Sequence, residues 1–72
     1  MKLINNVRRF RFEKGEISQE ELARAVGVSR QTIHSIEKGK FVPSTLLALK
    51  MAEFFDTTVE NLFAINENLK QA

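Results

Sequence analysis

Residues Gln19 to Lys38 read QEELARAVGVSRQTIHSIEK, and the fold is decided here. The spacing predicts two short helices, one from about Ser18 to Val26 and one from about Arg30 to Glu37, joined by a tight turn. Ser18 is a favoured N-cap, and Glu21 three residues on completes the S-x-x-E capping box, in which each side chain satisfies an orphan backbone N–H. Leu22, Ala23 and Val26 recur at helical spacing and make one apolar face. Gly27 stands where the chain must leave a helix through the left-handed region, where a Cβ would clash. Val28 can plug the corner, and Ser29 is the N-cap candidate of the second helix. Ile33 and Ile36 give that helix a narrow inward stripe. Its other side carries Arg30, Gln31, Thr32, His34, Ser35 and Lys38, with no large apolar group.

A short helix held by a few apolar residues presents a polar row outward. Arg, Gln, Thr, His and Ser side chains suit base edges and phosphates, and a major groove is wide enough to take such a helix. The positions of Ala23 at the helix contact, Gly27 in the turn and Ile33 in the second helix match a helix-turn-helix. On these residues the segment resembles the phage-repressor/Cro-like (XRE) family of helix-turn-helix regulators. Arg11 to Lys14, the run Gly39-Lys40-Phe41-Val42-Pro43-Ser44, and Val59 to Phe63 are also similar to that family, so the resemblance covers nearly the whole chain. It implies a mainly α fold, a five-helix lambda-repressor-like DNA-binding domain. Small members of this shape often add a strand after the fifth helix that pairs with the N-terminal residues.

Composition sets the outer bounds. Seventy-two residues make one domain, 1–72, near the lower limit for folding alone. The absence of cysteine excludes a disulfide or a thiolate metal site and fits a reducing cytoplasm. No apolar run approaches a membrane span, and the first six residues are not a signal peptide, so no membrane partner is expected. Residues 1–40 hold nine Lys/Arg against five Asp/Glu, a net +4, whereas residues 41–72 hold two against four, a net −2. The basic half coincides with the helix-turn-helix, as a DNA-facing surface would require. Small size and the lack of a covalent staple suggest that dimerisation contributes to stability.

Lys2-Leu3-Ile4 is a β-strand or a frayed lead-in, and the first helix is expected from Asn5 to Lys14, with Val7 and Phe10 inward. Phe12 lies off that face and would cover a terminal segment or meet a partner. Gly15 ends the helix. Phe41 is expected to pack down, with Ser44 capping a fourth helix from about Thr45 to Phe55. Leu47, Ala48, Met51, Ala52 and Phe55 form its inward face. Leu46, Leu49 and Phe54 exceed what one face needs, which leaves a broad core face or a dimer interface. Thr57 or Thr58 caps a fifth helix, where Val59, Leu62 and Phe63 close the core. The tail, 64–72, is either a strand pairing with Lys2-Leu3-Ile4 and contributing to dimerisation, or a continuation of the fifth helix to about Leu69. The strand is preferred.

The resemblance assigns roles residue by residue. Arg30, Gln31 and Thr32 occupy the turn that reaches deepest into the groove, and Ser35 follows on the same face. Bidentate Arg–guanine and Gln–adenine contacts are each worth roughly 1–3 kcal/mol of discrimination. His34 has two readings, a base contact or a solvated histidine. Gln19, Ser29, Lys38 and Lys40 fall on phosphates. Arg11 is either a solvated arginine or, as the family suggests, the partner of Glu37 in a structural pair, and the pair is favoured.

Double-stranded DNA is thus the expected partner, bound by a homodimer acting as a repressor. The alternative is an antitoxin-like module that covers a small protein partner and autoregulates its operon. No cofactor or metal is expected, because the lone His34 has no second His, no Cys and no carboxylate cluster beside it. An enzyme is excluded by the lack of a clustered nucleophile, base or metal site.

Overall fold

The computed structural model describes residues 2–66. The elements run in the order β1 (Lys2–Asn5), α1 (Val7–Glu13), α2 (Gln19–Val26), α3 (Arg30–Glu37), α4 (Thr45–Phe54), α5 (Val59–Leu62) and β2 (Phe63–Asn66). Every helix contributes to one enclosed centre. Val7 from α1, Leu22 from α2, Ile33 and Ile36 from α3, Met51 from α4 and Leu62 from α5 are its most deeply enclosed side chains. Each such burial stabilises by about 1.5–3 kcal/mol relative to exposure. Leu47, Ala48, Met51 and Ala52 of α4 are buried as expected, as is Phe55, which caps the helix one residue beyond its end, and Phe10, Ile17, Val28, Phe54 and Val59 pack around the rim.

The starts of α2, α3, α4 and α5 are fixed by hydroxyl caps, whereas Asn6 makes no side-chain cap for α1. Ser18, Ser29, Ser44 and Thr58 accept from the backbone N–H of Glu21, Thr32, Leu47 and Asn61, at 3.0, 3.2, 3.1 and 3.2 Å. Such caps are worth about 1 kcal/mol each. The reciprocal arm of the Ser18 box is also formed, with the Ser18 N–H donating to Glu21 at 3.0 Å. Helix α2 leaves through Gly27 at φ +80°, and α3 ends with Gly39 at φ +79°. Beyond Gly39, the Lys40 N–H returns to the Ser35 carbonyl and the Gly39 N–H to Ile36, both at 2.9 Å, the paired bonds of a Schellman ending. Two other helix exits use residues with side chains in the left-handed region, Glu16 and Asp56, both at φ +58°.

Strands β1 and β2 pair antiparallel, with Leu3 opposite Ile65, Ile4 opposite Ala64 and Asn5 opposite Phe63. This is the terminal β element that the resemblance implied. The fifth helix stops at Leu62 because Phe63 is already extended, at φ −133° and ψ 138°. That part of the tail expectation which concerns residues 67–72 lies outside the described residues.

Two expectations are corrected. The first helix begins at Val7 rather than Asn5 and ends at Glu13. Asn5 completes the strand ladder, and the Asn6 N–H donates to the Leu62 carbonyl at 2.8 Å, so both asparagines serve the turn between strand and helix. Phe41 does not enter the core. It stays 47% exposed and flanks a surface groove with Leu3, Ile36 and Phe63. Phe12 is also half-exposed, with the Arg8 and Arg11 guanidinium carbons 5.5 and 5.9 Å from its ring centre.

Candidate nucleic-acid interface

Helix α3 is gripped on one side only. Ile33 and Ile36 are sealed against α2 and the core, where Ala23 is 2% exposed. On the far side Arg30, Gln31 and His34 are exposed, and Thr32 and Ser35 are half-buried. The small Ala23 side chain and the Gly27 turn let α2 and α3 approach closely, which sets the angle at which α3 projects.

The last turn of α3 is tied to the rest of the chain through Glu37. Arg11 meets its carboxylate with one edge of the guanidinium, donating from Nε to Oε2 at 2.7 Å and from Nη2 to Oε1 at 3.1 Å. The remaining nitrogen, Nη1, donates to the Ile17 carbonyl at 2.8 Å. The paired side chains are 11% and 7% exposed, so solvent screens them little. Gln19 Nε2 donates to the same Oε1 at 3.0 Å. One carboxylate thus fastens α1, the loop after it and the first residue of α2 to α3. Among the described residues no buried side-chain polar atom lacks a hydrogen-bond partner.

A polar groove opens between these elements, lined by Arg8, Arg11, Gln19, Arg30, His34, Glu37 and Lys38. Of the residues singled out in the sequence, Arg30, His34, Gln19 and Lys38 meet there. Gln31, Ser29 and Lys40 are exposed but do not line it. Gln19 is half-buried, and part of its amide is committed to Glu37 rather than wholly free for a phosphate. The Ser29 and Thr32 hydroxyls hydrogen-bond to each other at 3.0 Å.

Two residues with a part in this surface were not singled out in the sequence. Arg8 lines the groove and has no carboxylate within ion-pair distance among the described residues, unlike its neighbour Arg9, which reaches Glu13 at 3.5 Å. Its position three residues before Arg11, hence on the same helix face, was the available signal. Asn5 donates from its side-chain amide to the Ile36 carbonyl at 2.9 Å, clamping β1 to the end of α3. No local pattern in the sequence announces that bond.

A capped helix, a glycine turn and a second helix with its polar flank turned out beside free cations define the class of DNA-binding helix-turn-helix transcriptional regulators. The Helix-turn-helix family model matches residues 8–65, and the chain belongs to that family, in its XRE-like branch. It is 48% identical over 63 residues to YgzD of Bacillus subtilis, described as an uncharacterised helix-turn-helix-type transcriptional regulator. That match covers 88% of this chain and 94% of YgzD. A regulator from Methanocaldococcus jannaschii with the same description is 50% identical over 52 residues, covering 72% of this chain and 79% of the relative. Among solved structures, a hypothetical transcription factor from Neisseria, NHTF, superposes with a TM-score of 0.71 at 34% identity. The superposition covers 93% of this chain and 77% of NHTF. No helix among the described residues is long and apolar enough to cross a membrane.

Proposed function

We propose that the chain is a cytoplasmic repressor that binds a near-palindromic operator as a homodimer, with α3 of each copy in a major groove. Arg30 and Gln31 take base edges at the front of α3, the Thr32 methyl meets a thymine methyl, and His34 and Ser35 extend the contact along the same flank. Gln19, Ser29, Lys38 and Lys40 hold phosphates and set the register, joined by Arg8 from α1. Glu37 supports this arrangement without touching DNA, since it fixes Gln19 and the end of α3 together.

The observation that carries the reading is the contrast along α3. Ile33 and Ile36 are 0% and 1% exposed, while Arg30, Gln31 and His34 stand bare beside a groove with three unpaired basic side chains among the described residues, Arg8, Arg30 and Lys38. Repression follows as the simplest consequence of occupying promoter DNA. The antitoxin alternative has no observation in its favour.

Selection of bound duplexes from a random pool at stated salt tests the reading. The expected result is a pair of inverted half-sites about 10–10.5 base pairs apart, centre to centre. Transcription in vitro from a promoter carrying that site should fall as the protein is added. Recovery of no preferred sequence, or a rise in transcription, would overturn the corresponding part.

A further inference from the structure

Beside the end of α3 lies a recess of about 410 Å3, enclosed by β1, the linker after α3 and the start of β2. Leu3, Ile36, Phe41, Val42 and Phe63 give it apolar walls, and Lys38 is the one charged side chain in its lining among the described residues. Small-molecule sites have this make-up, aromatic and aliphatic walls with a few polar groups, in volumes of about 300–1,000 Å3. Leu3, Phe41 and Val42 are exposed, so an occupant would take apolar surface out of water.

Charge selects the occupant. Lys38 has no ion-pair partner among the described residues. The end of α3 supplies little negative charge to answer it. The carbonyls of His34, Ser35 and Ile36 already accept from the N–H groups of Lys38, Lys40 and Gly39, and the Asn5 amide gives Ile36 a second donor. These bonds use up the carbonyls that would make a bare helix end repel an anion. The Glu37 carboxylate is likewise held, by Arg11 and Gln19. We infer that the recess binds a small aromatic carboxylate, its ring on the apolar walls and its carboxylate on the Lys38 ammonium. Lys38 also lines the polar groove with Arg8, Arg30 and His34, and no other residue is common to the two linings. A carboxylate that holds Lys38 therefore withdraws it from a DNA phosphate, and linkage makes the antagonism mutual. The site stands on the recess itself, whereas the antagonism rests on the proposed DNA-binding reading.

The test titrates the full chain with 4-phenylbutyrate, 4-phenylbutanol and 4-phenylbutylamine, followed by amide chemical shifts. The carboxylate should saturate with a Kd of about 1 mM or tighter, the scale for so small a ligand, and should move the signals of Leu3, Gly39, Phe41 and Phe63. The alcohol should bind about threefold or more weakly, a gap typical of an exposed ion pair, and the amine more weakly again. Lys38→Gln should erase the gap between carboxylate and alcohol, and Phe41→Ser should weaken both; each side chain is exposed, so the fold should stand. No saturable shift, equal affinity for carboxylate and alcohol, or shifts confined to another part of the chain would overturn the site. On the selected duplex, saturating 4-phenylbutyrate should weaken binding and lower the salt slope by about 0.9 in the wild type, with no further change in Lys38→Gln. Unaltered DNA affinity with the carboxylate bound would overturn the antagonism. A chain that binds the carboxylate and no duplex would sink the DNA-binding reading and the antagonism while the site stands; a chain that binds duplex and no carboxylate would do the reverse to reading and site.

Discussion

Arg11 and Glu37 lie 26 positions apart in sequence and are joined by two hydrogen bonds in a nearly dry contact, with the third nitrogen of the guanidinium spent on a backbone carbonyl. The pair is the joint at which the first helix holds α3 in place. Arg11→Ala leaves the Glu37 carboxylate in a poorly hydrated site and should cost about 3–5 kcal/mol of unfolding free energy in urea titration. Arg11→Lys keeps the charge but loses the fork, and should fall between that variant and the wild type. A loss of only a few tenths for the alanine variant would place the pair among exposed ion pairs.

Removing Arg30 or Gln31 to alanine should leave the urea midpoint within about 0.5 kcal/mol, since both side chains are exposed and touch nothing that holds the fold. Each should relax preference at particular base pairs by about 1–3 kcal/mol in competition binding. If both variants kept the wild-type sequence preference, other residues would be reading the bases.

Arg8 and Arg9 are adjacent, yet the two arginines should behave differently on DNA. Arg8→Ala should lower the slope of log affinity against log salt by about 0.9, one phosphate contact, and weaken all sequences alike. Lys40→Ala should do the same. Arg9→Ala, which breaks an exposed contact with Glu13 and one with the Phe10 ring, should leave the slope unchanged. Equal slopes for the Arg8 variant and the wild type would remove α1 from the DNA surface.

The motif was legible because its determinants are local. Capping hydroxyls at Ser18 and Ser29, the left-handed Gly27 and the stripe of Ile33 and Ile36 act within a turn or two of themselves, and the helix bounds follow from them closely. Arg11 with Glu37, distant in sequence, was reached only through family resemblance. Asn5 was misread as the first turn of a helix because its strand partner, Phe63, sits at the other end of the chain. Phe41 was expected inside on hydrophobicity alone, which does not say whether the core has room. Periodicity puts Arg8 on the helix face of Arg11, but where that face lies against α3 is set by contacts distant in sequence.

The Asn5 amide and the Gly39 N–H both reach the Ile36 carbonyl, which therefore has two donors. Asn5→Ala removes one of them from a part-buried site and should destabilise by about 0.5–1.5 kcal/mol. Hydrogen exchange at Gly39 and Lys40 should quicken beyond what the global change explains if the clamp acts on the end of α3. Uniform exchange would make Asn5 merely a strand residue.

Glu16 and Asp56 both occupy the left-handed region at φ +58°. Glu16→Gly should stabilise by about 0.5–1 kcal/mol, as relief of the Cβ clash outweighs the added freedom of the unfolded chain. Asp56→Gly should gain less, because aspartate tolerates that conformation better. Thermal unfolding of the two variants checks the order.

Glu37 fastens its end of α3 to α1 and α2, while Arg30 and Gln31 at the opposite end are exposed and make no side-chain hydrogen bond or ion pair among the described residues. Under the proposed function, recognition is modular at the level of single side chains: the handle is keyed into the frame and the bit is interchangeable. New target sequences could be obtained by exchanging those two positions and His34 alone, on a scaffold that would not register the change.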